Sequence, residues 1–269
     1  RRRPVAAGIS HRSPLAGCPP REARRERACR HSTAVRASAG GDVRQGLLKV
    51  DVSPLCELKY VRMLSELCCE SFYGVQKPWE KMNPIGTVQR GLIFQEIEQD
   101  LSMRIQRYRK AGNDADRSCG ALLVGVDDEG TLVGFVDLSL TLYDKQAEEF
   151  SVVQGPGLAV PSEDFERRPY IANLAVSPAF RRRGVADQLM AYAHKMAATL
   201  PGASSNIWLE VNESNKAAVQ LYQKMGYTVV SVDEDAKEVV KGPLTYHFAS
   251  TRRLRLSMPL PLQKEEVAE

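Results

Sequence analysis

A chain of 269 residues with 43% hydrophobic side chains can bury a full core, as one generous domain or one domain with appendages. It holds no run of 18 apolar residues, so a transmembrane helix is not expected. The net charge of +4 is unevenly spread: residues 1–44 set eleven arginines against Glu22, Glu26 and Asp42, a net of +8, and the remainder carries −4. The basic balance belongs to the N-terminal segment, which argues against a nucleic-acid partner for the protein as a whole.

Residues 1–40 contain no Lys, Phe, Tyr or Trp and are rich in Arg, Ala, Ser and Pro. Such a segment cannot bury a core and is expected to be a disordered basic transit peptide. The stretch VRASAG, Val35–Gly40, resembles a plastid processing site with cleavage near Ala37. The expected compartment is the plastid stroma, with the mitochondrion second. A plain disordered tail, binding RNA or acidic partners, is the alternative. The cysteines, Cys18, Cys29, Cys56, Cys68, Cys69 and Cys119, form no CxxC pair, so no metal site is expected, and they read as reduced thiols.

Along the rest of the chain, GLLKVDV (46–52) reads as a strand. A helix is expected from Ser53 as N-cap, with Pro54 at its first position, to Phe72. A loop broken by Gly74, Pro78 and Pro84 precedes a second helix over 87–112. GALLVGV (120–126) and LVGFVDLSLTL (132–142) read as strands joined by a hairpin at Asp128–Gly130. Residues 143–168 read as a long polar loop. Then come a strand over 170–176, a helix over 184–200, a strand over 206–211 and a helix over 214–225 that stops at Gly226. YTVVSV (227–232) and LTYHFAS (244–250) are expected as the last strands, separated by the acidic loop DEDAKEVVKG.

The segment RRRGVA, Arg181–Ala186, places three arginines and a glycine between a buried strand and a helix. Gly184 permits a backbone that exposes successive N–H groups. With the helix N-terminus and the arginines this makes a phosphate cradle. Taken alone, the pattern also fits a solvated helix start. The second signal is WLEVNESNKAAVQLYQKMGY, 208–227.

Together, NLAVSPAFRRRGVADQLM and WLEVNESNKAAVQLYQKMGY resemble the GCN5-related N-acetyltransferase family, especially the enzymes that acetylate ribosomal-protein N-termini and their plastid counterparts. The resemblance is strong over 170–227 and looser over 50–256. It implies an α/β (α+β) fold: a mixed central sheet of six to seven strands with a splayed strand pair, flanked by about four helices. The domain would span 46–256, with 143–168 as an insertion and 257–269 as a tail.

The resemblance also implies acetyl-CoA as co-substrate and no metal. The backbone of Leu174, Ala175 and Val176 would pair with the pantetheine arm. Arg182, Arg183, Gly184, Val185, Ala186 and Asp187 would hold the pyrophosphate, with Arg181 adding field, and Asn215 would contact the cofactor near the thiol. Tyr222 matches a general acid for the leaving thiolate. Glu210 matches a general base, directly or through water. Each has a bland reading too: Tyr222 as core, Glu210 as a surface acid, Asn215 as an N-cap.

The expected activity is transfer of acetyl to protein amines, at the N-terminal α-amine, the lysine ε-amine or both. A serotonin-type arylalkylamine acetyltransferase and a non-catalytic CoA-binding module are the alternatives. A monomer is expected, with no membrane and no specific nucleic-acid partner. Trp208 reads as core, and His194 and His247 as structural or exposed. Tyr73 and Trp79 read equally as acceptor groove or hydrophobic anchor. Acidic residues 233–238 read as a solvated hairpin loop before an acceptor lip.

Overall fold

The computed structural model describes residues 46–55, 57–78, 80–111, 120–150, 163–200, 204–242 and 245–260. The transit-peptide reading, Trp79 and Cys56 lie outside the described residues. The elements are β1 (Asp51–Pro54), α1 (Val61–Tyr73), α2 (Pro84–Ala111), β2 (Gly120–Val126), β3 (Leu132–Asp144), β4 (Glu149–Phe150), β5 (Phe165–Val176), α3 (Val185–Ala197), β6 (Asn206–Asn212), α4 (Lys216–Lys224), β7 (Thr228–Asp233), β8 (Lys237–Lys241), β9 (Tyr246–Ser250) and β10 (Arg253–Pro259).

One mixed sheet runs β1-β2-β3-β5-β6-β10-β7, with the short β4 on the far end of β3. All its pairings are antiparallel except β5 with β6. That pair is short: only Tyr170 opposite Trp208 and Ile171 opposite Leu209 are in register. Two apolar layers hold the sheet. On one face Val185, Leu189 and Met190 of α3 and Val219 and Tyr222 of α4 pack on Leu123, Val136, Ile171, Leu209 and Leu256. On the other, Leu64 and Cys68 of α1 and Leu101 and Ile105 of α2 pack on Leu122, Phe135 and Ala175.

Several expected boundaries move, each for a local reason. The first strand is Asp51–Pro54, not 46–52, because the N–H groups of Leu48 and Val50 go to Arg183 O and Gln188 Oε1 instead of a neighbouring strand. Pro54 ends this edge strand and does not start a helix. Edge strands accept the missing N–H, and α1 begins only at Val61. Pro84 is the first residue of α2 and not a loop breaker, a position where its absent donor costs nothing.

The polar segment 143–168 is strand at both ends, since β3 continues to Asp144, pairs with β4, and meets β5 from Phe165. The acidic loop contains β8, which pairs with β9 in a separate two-stranded ribbon. The sheet is completed by β10, which crosses the expected boundary at 256 and is followed by the buried Leu260. Its pattern was present in the sequence: Leu254 and Leu256 point inward and alternate with Arg253 and Arg255.

Candidate functional site

The site begins where β5 leaves β6. Opposite β3, Phe135 pairs with Ala175 and Asp137 with Ala172, so β5 carries one extra residue there, and Asn173 takes a left-handed φ of 50°. This bulge bends β5 away from β6. Leu174 lies in the bulge, Ala175 is buried against the α1–α2 face, and Val176 packs toward α3. The Val176 carbonyl is already used, accepting from Arg181 Nε at 3.1 Å and Ser71 Oγ at 3.3 Å.

After β5 a short turn over Pro178–Phe180 leads to the arginines. Arg182 has φ 63° and Gly184 φ 75°, two left-handed residues within three. Alternation of this kind gathers backbone N–H groups into a concave nest. The first helical bond of α3 is Gln188 N–H to Gly184 O, at 3.2 Å. Gly184, the N-cap, offers no side chain to the earlier N–H groups of Val185, Ala186 and Asp187. Asp187 stands exposed in the first turn, where a carboxylate suits the helix dipole.

The three arginines have separate tasks. Arg181 is pinned to two carbonyls, Val176 O and Ser71 O, and so ties α1 to the end of β5. Arg182 is exposed. Arg183 lies over the Phe180 ring with its guanidinium carbon 5.7 Å from the centroid, and its buried Nε has no hydrogen-bond partner among the described residues. An orphaned cationic donor beside a row of uncapped N–H groups fits a phosphate ligand.

Asn215 is the N-cap of α4, its Oδ1 accepting from Ala218 N–H at 3.2 Å. The bland reading of that residue therefore describes its carbonyl oxygen. Tyr222 is 7% exposed and meets Tyr227 edge-on at 5.8 Å. Burial pushes its phenol up to about 12. Among the described residues its hydroxyl has no hydrogen-bond partner.

Glu210 projects from β6 on the opposite face, by strand alternation with Leu209. Its Oε1 accepts from Arg255 Nε at 2.9 Å, and Arg255 also reaches the Glu148 carbonyl. Tyr170, at the point of splay, has its phenol pushed up by burial first and by the charge of Glu210 next. Glu210 and Tyr222 thus flank the splay from opposite faces of the sheet. Sequence reading passed over Tyr170 and Arg255. The alternation through β10 was the signal available for Arg255, while Tyr170 needed the register of two strands.

Trp208 is buried as expected, stacked on Tyr143 at 6.0 Å, with Arg168 over both rings. Tyr73 packs on Tyr246 at 5.9 Å, and Arg90 joins Gly74 O to the Tyr246 hydroxyl. Lys241 also bonds Glu80 at 2.6 Å. The β8–β9 ribbon is thereby fastened to the chain between α1 and α2. The acids of the expected lip are engaged: Glu238 accepts from Asn212 Nδ2 at 2.6 Å and Glu234 pairs with Arg252 at 2.7 Å. His194 is structural, its Nε2 2.9 Å from the Tyr227 hydroxyl.

The family model described as "Acetyltransferase (GNAT) family" matches residues 90–227, half of the chain and all of the turn, Glu210 and Tyr222. The chain belongs to this acetyltransferase family. Among curated proteins it is similar to "GCN5-related N-acetyltransferase 6, chloroplastic" of Arabidopsis thaliana, 34% identical over 119 residues, 39% of this chain and 38% of that one. It is also similar to the "[Ribosomal protein bS18]-alanine N-acetyltransferase" of Haemophilus ducreyi, 38% identical over 61 residues, 22% of this chain and 40% of that one. The chain thus spans about two-fifths of the length of these relatives. Among solved structures, Arabidopsis thaliana NAA60 in complex with acetyl-CoA matches 79% of this chain and 99% of that one, with a TM-score of 0.50 and 16% identity. That likeness bears on the fold, which for a GNAT protein is the mixed sheet described above.

Proposed function

We propose that this GNAT chain transfers acetyl from acetyl-CoA to protein amines, at N-terminal α-amines, lysine ε-amines or both. The observation that carries the reading is the split between β5 and β6 after two paired residues, with the Arg182–Gly184 nest beyond the end of β5 and Glu210 and Tyr222 reaching the split from opposite faces of the sheet. The nest, the start of α3 and Arg183 Nε would hold the pyrophosphate. The freed edge of β5 near Leu174 and Ala175 would take the pantetheine amides. Arg181 supports the turn from behind and acts on phosphate only through its field.

Glu210, held by Arg255, would accept the proton of the attacking ammonium through its second oxygen or a water. The amine lone pair then forms the C–N bond as the C–S bond breaks. Tyr222, protonated throughout the physiological range, would hand its proton to the departing thiolate and be reprotonated by the second proton, which the nitrogen sheds as it becomes the amide. A protein acceptor is supported by relatives named for acetylating ribosomal-protein alanine and as N-alpha-acetyltransferase 30. A plastid location is supported by the arginine- and serine-rich leader together with two relatives named chloroplastic.

The test is acetyl-CoA turnover by the full chain with free-N-terminus peptides, N-blocked lysine peptides and serotonin, the modified nitrogen being located by mass spectrometry. Acetylated peptides are expected. Serotonin as the sole product would move the reading to small-amine chemistry, and CoA binding without product to a non-catalytic module.

A further inference from the structure

Gln188, one turn into α3, is bonded on three sides. Its Oε1 accepts from Val50 N–H at 3.0 Å, and its Nε2 donates to Leu48 O at 2.6 Å and to Gly184 O at 3.2 Å. A fourth bond runs from Leu48 N–H to Arg183 O at 2.9 Å. The Leu47 side chain lies against Gly184, where an added Cβ would come within 2.7 Å of it. Residues 47–50 therefore form a strap along the arginine turn before the chain enters β1.

The strap acts on the nest through peptide geometry. Arg183 O and Gly184 N–H belong to one planar trans unit and point in opposite directions, as do Gly184 O and Val185 N–H. Holding Arg183 O and Gly184 O on the side of Leu48 and Gln188 aims the two N–H groups at the opposite side, where the phosphate would sit. The turn needs such support, because Arg182 is a non-glycine residue at φ 63° and an untethered loop would relax from it.

We infer that Gln188 is a positioning residue for phosphate binding, acting with residues 47–50 to aim the N–H groups of Gly184 and Val185. The inference rests on the reading of this turn as the acetyl-CoA phosphate site. Gln188→Met keeps the length of the side chain and removes its three bonds. Leu48→Pro removes the donor to Arg183 O.

The full chain and both variants would be compared by calorimetric titration with acetyl-CoA and by steady-state kinetics. The expected result is a rise of about tenfold in Kd and KM for acetyl-CoA, the scale of one lost hydrogen bond or two, with kcat within twofold and cooperative unfolding retained. Hydrogen exchange at the Val50 amide should also slow when acetyl-CoA binds the wild type, because the coupling is reciprocal. Wild-type Kd in Gln188→Met, or a fall in kcat with KM unchanged, would overturn the inference while leaving the site reading intact. A wild type that does not bind acetyl-CoA would overturn the site reading and the strap's role with it. Should Leu48→Pro fail to fold, Gln188→Met decides alone.

Discussion

Arg255 on β10 stands directly across from Glu210 on β6, and its Nε donates to one carboxylate oxygen at 2.9 Å. The pair is half-sheltered, with side-chain exposures of 16% and 20%. One Glu210 oxygen is thereby fixed, and on the proposed reading the other takes the proton. Glu210→Gln is expected to lower kcat by about 100-fold, the contribution of a positioned general base. Arg255→Met should lower kcat by about tenfold through loss of orientation, with KM for acetyl-CoA unchanged. Steady-state kinetics at saturating acetyl-CoA checks both, and a kcat within threefold of wild type in Glu210→Gln would assign the proton elsewhere.

Tyr222 packs as a core residue and carries a phenol raised by burial to about 12. Tyr222→Phe keeps the ring contact with Tyr227, so folding should be unaffected and acetyl-CoA should bind normally. The kcat is expected to fall by about 100-fold. In the wild type the phenol stays protonated well beyond pH 10, so kcat should show no alkaline loss from this group below about pH 11. A pH–rate profile of kcat reads both statements.

His194, in contact with Tyr227, has its imidazole pushed down to about 4 by burial, against an ordinary value of 6.5. The folded state therefore refuses a proton that the unfolded chain accepts. The stability from this group is complete above pH 6.5 and is lost as pH falls toward 4. Discounted for partial exposure, the loss amounts to about 2 kcal/mol. Urea unfolding at pH 7 and pH 4.5 should show it, and His194→Gln, which keeps a polar group beside the Tyr227 hydroxyl, should flatten the difference.

Asp137, fully buried in β3, accepts from the Tyr108 hydroxyl at 2.6 Å and from Arg104 at 2.5 Å, and Arg104 in turn bonds Asp100. This cluster fastens α2 to the strand that backs the β5 bulge. Asp137→Ala leaves the largely buried Arg104 cation with a partner missing, at a cost of about 3–5 kcal/mol. Urea denaturation with an unchanged m-value would report it. A cost under 1 kcal/mol would mean that water reaches Arg104 freely.

Much of the fold was legible because its signals are local. The runs Gly120–Val126 and Asn206–Asn212 are apolar enough to be central strands, and Val185, Leu189 and Met196 repeat at helical spacing. The errors fall where tertiary contacts override local pattern. Leu48 and Val50 look like strand residues, yet their N–H groups are claimed by Arg183 and Gln188. Lys237–Lys241 looks like a solvated loop because its valines are flanked by charge, yet it pairs with β9. Within the site, the turn and Tyr222 were visible as motifs. The Glu210–Arg255 pair was not, since it depends on the register between β6 and β10. Nor were the separate tasks of Arg181 and Arg183, which depend on Ser71 and Phe180, far away in the chain or folded back by the turn.

The two-residue ladder between β5 and β6 has a bearing on the life of the protein in its compartment. The sheet is joined across its middle by a seam with few backbone bonds, and a ligand lying in the gap would mortar that seam. Binding to the folded state alone adds stability by mass action, about 2.7 kcal/mol at a hundredfold excess over Kd. The melting temperature should climb with acetyl-CoA concentration. Where supply runs low, the seam opens more often and proteases gain access. On the proposed reading, abundance of the chain would then follow the supply of acetyl-CoA.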